Sequence, residues 1–204
     1  PTTVTIDAGD DVVLNTTGTL TITNLTIYGY TGFLNAASLT TSGNPSLTLG
    51  GSLTMGVSQS LSSLTFNGTG NLIIAGSVIV GGGGFGLAGS DLVFNSSGAF
   101  TVGGNVSVTV ASTLEVSNGT FTMGGSLSAT SNGDITFSTP GNVTIGGTTT
   151  ITPATSSLTD SNNTGISRFT GLVTVYGTWL STTVTTPANM IFRGGISCSN
   201  TAPG

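Results

Sequence analysis

One phrase recurs along the chain: alternating polar and apolar residues, a glycine-containing pair, then the same alternation again. It reads SLTLGGSLTM at 46–55, NLIIAGSVIV at 71–80, AFTVGGNVSV at 99–108, TFTMGGSLSA at 120–129 and NVTIGGTTTI at 142–151. Degenerate copies are LTITNLTI at 20–27, LVTVYGTWL at 172–180 and MIFRGGISC at 190–198. Ahead of most copies sits a third short segment ending in a turn, such as LTFNGTG at 64–70, LVFNSSG at 92–98, LEVSNG at 114–119 and ITFSTPG at 135–141. About eight irregular copies fill the 204 residues, and self-similarity of this kind marks a repeat architecture.

Within each copy the period is two, which specifies strands. Val, Ile, Thr and Phe dominate these segments, in line with strand propensity. No stretch carries a 3.6-residue apolar stripe with a cap, so the chain reads as all-β. The inward set follows from the alternation: Leu47, Leu49, Leu53 and Met55 in one copy, Phe100, Val102, Val106 and Val108 in another. The set continues through Leu72, Ile74, Val78, Val80, Phe121, Met123, Leu127, Ala129, Val143, Ile145, Thr149 and Ile151.

The glycine pair separates two architectures. A tight hairpin at Gly103-Gly104 sets Val102 opposite Asn105 and Phe100 opposite Ser107. Cross-strand neighbours share a face, so every apolar residue then opposes a polar one. A corner at Gly103, Gly104 and Asn105 instead lets Val102 and Val106 both point inward. Repetition of that corner generates a single-domain parallel β-solenoid. The alternative is an Ig-like β-sandwich, in which a three-residue hairpin loop also restores the facing. Residues 1–15 are set apart as an N-terminal strand and 16–204 as the repeat-built domain.

These phrases, NVTIGGTTTI and LVFNSSGAFTVGGNVSV among them, resemble the parallel β-helix repeats of bacterial and archaeal extracellular proteins, such as adhesins and autotransporter passengers. The Thr, Ser and Gly excess is similar to that of subunits of prokaryotic surface filaments and sheaths. The resemblance covers most of the chain and implies an extracellular structural or adhesive role. It brings no catalytic residue with it.

Composition narrows the chemistry. Only nine residues are charged, seven Asp or Glu and two Arg, with no Lys and no His. Two cations cannot neutralise a phosphate backbone, so nucleic acid is not an expected partner. Without His there is no His-dependent triad or His-ligated metal. One cysteine, Cys198, forms no internal disulfide and is expected to be a small buried hydrophobe. No apolar run is long enough for a membrane helix, and no cofactor is expected. The abrupt start at Pro1 suggests a mature form.

The remaining candidates each have a plainer reading. Asp7, Asp10 and Asp11 read as a calcium site or, more simply, as a solvated turn. Asp91 and Asp134 begin the third segments of two copies, with Thr113 at the equivalent place between them. Two layers apart, they stand about 9.6 Å from each other, which is near the separation of an inverting glycosidase pair. The plain reading is a polar strand start. Thr19/Thr21/Thr23, Thr120/Thr122 and Thr148/Thr150 suggest a water-ordering threonine array, as in ice-binding solenoids, or solvent-facing strand residues. Eight Asn-x-Ser/Thr sequons, at Asn15, Asn24, Asn67, Asn95, Asn105, Asn118, Asn142 and Asn162, are glycosylation candidates. Tyr28, Tyr30, Tyr176 and Trp179 are too scattered for a sugar platform.

Sparse charge leaves few gatekeepers on strand edges, and solenoid ends need covers. The expectation is therefore a structural subunit of an extracellular filament, sheath or surface layer that polymerises with copies of itself. Val4, Ile6, Val12 and Leu14 are its candidate assembly strand. Surface glycans are further candidate partners. An adhesin segment is the first alternative, and a carbohydrate-active β-helix enzyme or an ice-binding protein the less favoured ones.

Overall fold

The computed structural model describes residues 2–28, 36–56, 61–82, 89–152, 155–162, 164–176, 178–181 and 189–198. Among these residues there are 25 strands and no helix. Every strand pair is parallel, so the chain is a β-solenoid and not a sandwich. Successive strands take successive faces of a three-sided coil, giving sheets of nine, eight and eight strands. The nine-stranded sheet is called face I here, and the chain then visits face II and face III before returning. One coil shows the path: Val78–Val80 on face I, Asp91–Ser96 on face II, Ala99–Val102 on face III, then Val106–Thr109 on face I above Val78–Val80.

Alternation does what the pattern requires. The twenty residues assigned inward by their spacing are all buried, Thr149 among them. Like stacks on like: Phe66 over Phe94 in face II and Phe100 over Phe121 in face III. The rings of Phe66, Phe94, Phe100, Phe121 and Phe137 form a continuous file inside the corner between faces II and III, with centroids 5.1–5.6 Å apart. Such pairs contribute roughly 0.5–1.5 kcal/mol each beyond their burial.

Coil length varies, and the register stays fixed. Leu127 follows its stacking partner Val106 by 21 residues, whereas Leu53 follows Leu25 by 28. The variation lies mostly between faces I and II and, in the last coils, also between faces II and III. The corner from face III to face I is nearly constant: from the second coil onward three residues separate the strands, as Gly103, Gly104 and Asn105 do. That constancy is why the phrase spanning this corner recurs in the sequence. One copy is phased differently from its sequence reading. LVTVYGTWL straddles two faces, because Val173–Val175 follows a corner at Thr170-Gly171 and Thr178–Ser181 already belongs to face II.

Glycine is required at this corner by contact, not by dihedral angle. Gly104 donates its N–H to the Gly76 carbonyl, and Gly125 to that of Gly104. A Cβ on Gly125 would stand 2.4 Å from the Gly104 oxygen, and one on Gly147 2.5 Å from the Gly125 oxygen. Backbone rests on backbone, and neither can retreat without opening the ladders on both sides. Gly125→Ala is expected to cost about 1–3 kcal/mol, the usual range for overpacking a tight contact. Gly18→Ala, whose Cβ meets only the Thr16 hydroxyl at 3.6 Å, should melt close to the parent. Thermal denaturation of the two variants compares them directly.

Candidate functional site

The polar corner residues come first, because they absorb much of what the sequence offers as sites. At the corner from face III to face I, each side-chain oxygen accepts the backbone N–H of the equivalent residue one coil on. Asn24 Oδ1 accepts from Ser52 N at 2.9 Å, Ser52 Oγ from Ser77 N at 3.1 Å, and Ser77 Oγ from Asn105 N at 3.1 Å. The file continues with Asn105 Oδ1 accepting from Ser126 N at 2.8 Å and Ser126 Oγ from Thr148 N at 3.2 Å. A shorter file between faces II and III uses Ser46 and Asn71, and Asn142 Oδ1 accepts from Ile166 N there. These bonds satisfy corner amides that the strand ladders leave over.

The sequons therefore divide by structural role. Asn24, Asn105 and Asn142 belong to the corner files. Asn162 is 1% exposed; its Nδ2 donates to the Gly141 carbonyl and its Oδ1 accepts from Gly165 N. Asn95 Nδ2 donates to Asn67 Oδ1 across adjacent coils. Asn118, half-buried, accepts from its neighbour Gly119 N; the register sets Phe94 beside Val116, so Ser117 rather than Asn118 continues the Asn67 and Asn95 file. Asn15 is exposed at the end of its strand.

The carboxylates sit where the register places them. Asp91 pairs with Thr113 and Thr113 with Asp134, on the outer surface of face II. Asp134 accepts from the Ser157 hydroxyl at 2.6 Å, and Asp91 is exposed on its strand. Asp7, Asp10 and Asp11 line a turn in which Asp10 N donates to the Asp7 carbonyl and Ser38 donates to Asp11. Among the described residues no group of three or more His, Cys, Asp or Glu is placed to hold a metal ion. The Thr-x-Thr motifs do not form one array. Thr19/Thr21 and Thr120/Thr122 face outward on face III, whereas Thr150 belongs to face I. The face III rank of Thr21, Thr48, Thr101, Thr122 and Thr144 is broken by Ile73 and ended by Arg168.

The two ends of the coil differ from its walls. Thr3–Ile6 pairs with Asn24–Ile27, and Asp11–Asn15 with Ala37–Ser42, so residues 3–15 belong to the first described coil of their own chain. Above them opens an apolar recess of about 220 Å³, lined by Val4, Ile6, Val12, Leu14, Leu20 and Ile22 and floored by Leu25, Leu39 and Leu47. Ile6 is only 4% exposed, but Val12 and Leu20 are each 39% exposed and Val13, on the outer surface, 63%. The far end closes on Asn189–Phe192 and Ile196–Cys198. Ile196 is 51% exposed, and Cys198 is exposed rather than buried. Cys198 does continue the inward file through Val175, but no described coil lies beyond it. Tyr28 is exposed and Tyr176 half-buried; Tyr30 and the Trp179 side chain fall outside the described residues.

One inward residue is not legible in the alternation. Asp160 occupies the place in the face II file held by Phe94, Val116 and Phe137 in the preceding coils. It is 0% exposed. Its Oδ1 accepts from Asn162 N at 3.0 Å, while its Oδ2 and the adjacent Ser167 hydroxyl are close but form no hydrogen bond of normal geometry. Burial pushes this carboxyl above the ordinary carboxylate range, offset in part by the Ser167 hydroxyl and the Asn162 amide.

No family model matches the chain, and no characterised protein or solved structure is significantly similar to it.

Because the folded pKa of Asp160 is raised, its ionisation disfavours the fold. Stability attached to this group is full below the ordinary carboxylate pKa and declines as pH rises through the folded value. Asp160→Asn should stabilise the fold at neutral pH, because a neutral carboxamide is buried at less cost than a carboxylate. The advantage should shrink as the solution is acidified. Melting curves of parent and variant across the acid range check both the sign and the trend.

Proposed function

We propose that this chain is a structural subunit of an extracellular filament, sheath or surface layer, polymerised by stacking one solenoid end on another. The observation that carries the reading is that strand edges go unpaired at the ends of the described coil and not along its walls, although the walls also expose Ile73, Ile79 and Leu172. Among the described residues the terminal strand of each face has a strand partner on one side only. Around those edges stand Val12, Val13 and Leu20 at one end and Ile196 at the other, all at least 39% exposed. Unpaired N–H and C=O groups beside uncovered apolar side chains are a template for another chain. A contact between unlike ends does not close on itself and yields a filament.

The joint requires no strand to leave its own sheet, since residues 3–15 are already seated. What a second copy covers is chiefly Val12, Leu20 and the half-buried Val4 and Leu14, because Ile6 is sheltered by its own chain. The walls suit an extracellular polymer: hydroxyls and carboxamides accept backbone amides of the next coil there, and two Arg with no Lys leave trypsin-like proteases two target sites. If glycans are attached, Asn105 and Asn142 are the best placed, each exposed and steadied through its Oδ1. Asn162 should stay bare, which peptide mapping by mass spectrometry of the native protein would show.

The purified chain should form polymers visible by negative-stain microscopy and sedimenting well above the monomer. The double variant Val12→Lys and Leu20→Lys, which places charge around the recess, should keep its β-rich circular dichroism and lose the polymer. A parent chain that stays monomeric at high concentration overturns the reading.

A further inference from the structure

We infer that copies of this chain also pack side by side, with Arg168 and Arg193 on face III of one set against Glu115 and Asp134 on face II of the other. This wall-to-wall contact goes beyond the end-to-end reading and uses no strand edge, so the two stand or fall separately.

The charges of the chain are sorted by face. Seven carboxylates and two arginines make up its formal charge. Asp91, Glu115 and Asp134 lie on the outer surface of face II. Asp11 opens a face II strand, and Asp7 and Asp10 occupy the turn that leads into it. Asp160 is buried behind the same face. Both cations belong to face III: Arg168 lies within Ile166–Phe169, and the exposed Arg193 directly follows Asn189–Phe192. The outward rank of face I, from Thr54 through Ile79, Ser107, Ser128 and Thr150 to Thr174, carries no charge. One wall is thus acidic, one basic and one neutral. The register keeps the opposite charges apart within one molecule, since Arg168 stands between Thr144 and Ile191, and Glu115 between Val93 and Thr136. Arg168 Nε has no hydrogen-bond partner among the described residues.

The two walls match in spacing as well as in sign. Glu115 is paired with Thr136, two residues beyond Asp134 on the next coil. Arg168 is paired with Ile191, two residues before Arg193 on the next coil. Each pair is therefore one coil and two residues apart, about 8 Å at roughly 4.8 Å per coil and 3.3 Å per residue. The two diagonals lean opposite ways. From Glu115 up to Asp134 the step runs back along the strand; from Arg168 up to Arg193 it runs forward. Walls brought face to face see each other as mirror images, so the opposite leans coincide. Arg168 meets Glu115 and Arg193 meets Asp134 in copies that run the same way, and the partners exchange in copies that run opposite ways. The occupant of each charged wall is thus a second copy. Exposed ion pairs are individually weak, so the contact gains strength from many copies held in a row. Joining unlike walls leaves one charged wall of each copy free for the next, and the contact propagates sideways.

The absence of Lys makes the contact testable. Arg168→Lys and, separately, Arg193→Lys each keep the charge and introduce a lone ε-amine, which a carbodiimide joins to a carboxylate in contact with it. Each variant should give a covalent dimer in which mass spectrometry finds the introduced amine linked to Glu115 or Asp134. The yield should fade between about 0.1 M and 1 M salt, as the screening length falls from about 10 Å to about 3 Å. Two variants guard against misfolding at position 168, where the Nε is enclosed. No dimer from either variant at low salt, dimers linked instead to Asp7, Asp10 or Asp11, or a yield indifferent to salt overturns the inference. The expected link in a preparation without filaments supports the side contact and counts against the end-to-end reading; filaments without the link do the reverse.

Discussion

The whole molecule depends on one spacing, the roughly 4.8 Å between hydrogen-bonded parallel strands. A solenoid must keep that distance on its three faces and also at its three corners, where side chains would ordinarily hold backbones apart. At the corner between faces III and I it is kept by glycine carbonyls resting on the glycine amides of the next coil, from Gly76 through Gly104 and Gly125 to Gly147. The strands are short, and several hold only three residues, such as Leu72–Ile74 and Val143–Ile145. Such strands have little pairing of their own, so stability comes from repetition, each coil serving as template for the next.

Close stacking creates a polar problem that the chain solves without charge. Corner amides turned away from the strand ladders need acceptors, and a short side chain on the adjacent coil is at the right height to supply one. Ser, Thr and Asn fit because their oxygens lie one or two bonds from Cβ, whereas a long charged side chain would lose rotamer entropy to make the same bond. The same economy brings a risk in the core. Asp160 sits in a file of Phe and Val with one carboxylate oxygen unpartnered, and nothing in the described structure compensates its burial fully.

Walls and ends differ in pairing for the same reason. Along the walls each strand is paired on both sides, and its outward residues are mostly hydroxyls, amides and a few carboxylates, with Ile73 and Ile79 as exposed apolar exceptions. At the ends pairing stops while the inward file continues, so the apolar interior reaches solvent at Val12, Leu20 and Ile196. Under the proposed reading a second copy covers these edges, because its strands have the same alternation.

Much of this was legible in the residues. Period-two alternation identified the inward set, from Leu47 to Ile151, because the two faces of a strand have no other way to sort. The mismatch that a tight hairpin creates at Val102 and Asn105 pointed to a corner, whereas the third face, occupied by the short segment ahead of most copies, emerged only from the strand pairing. Tertiary structure decided what depends on the coil above or below. The corner at Thr170-Gly171 contains one glycine where the pattern seeks two, and only stacking on Gly147 reveals it. Asn162 and Asn105 share a sequon, yet one is buried against Gly141 and the other exposed, a difference set by the neighbouring coil. Cys198 has the alternation of a core residue and is exposed, because burial at that position requires a further coil above it. Alternation is a property of a strand by itself and can be read along the chain; burial, pairing and polarity at a corner belong to two coils at once.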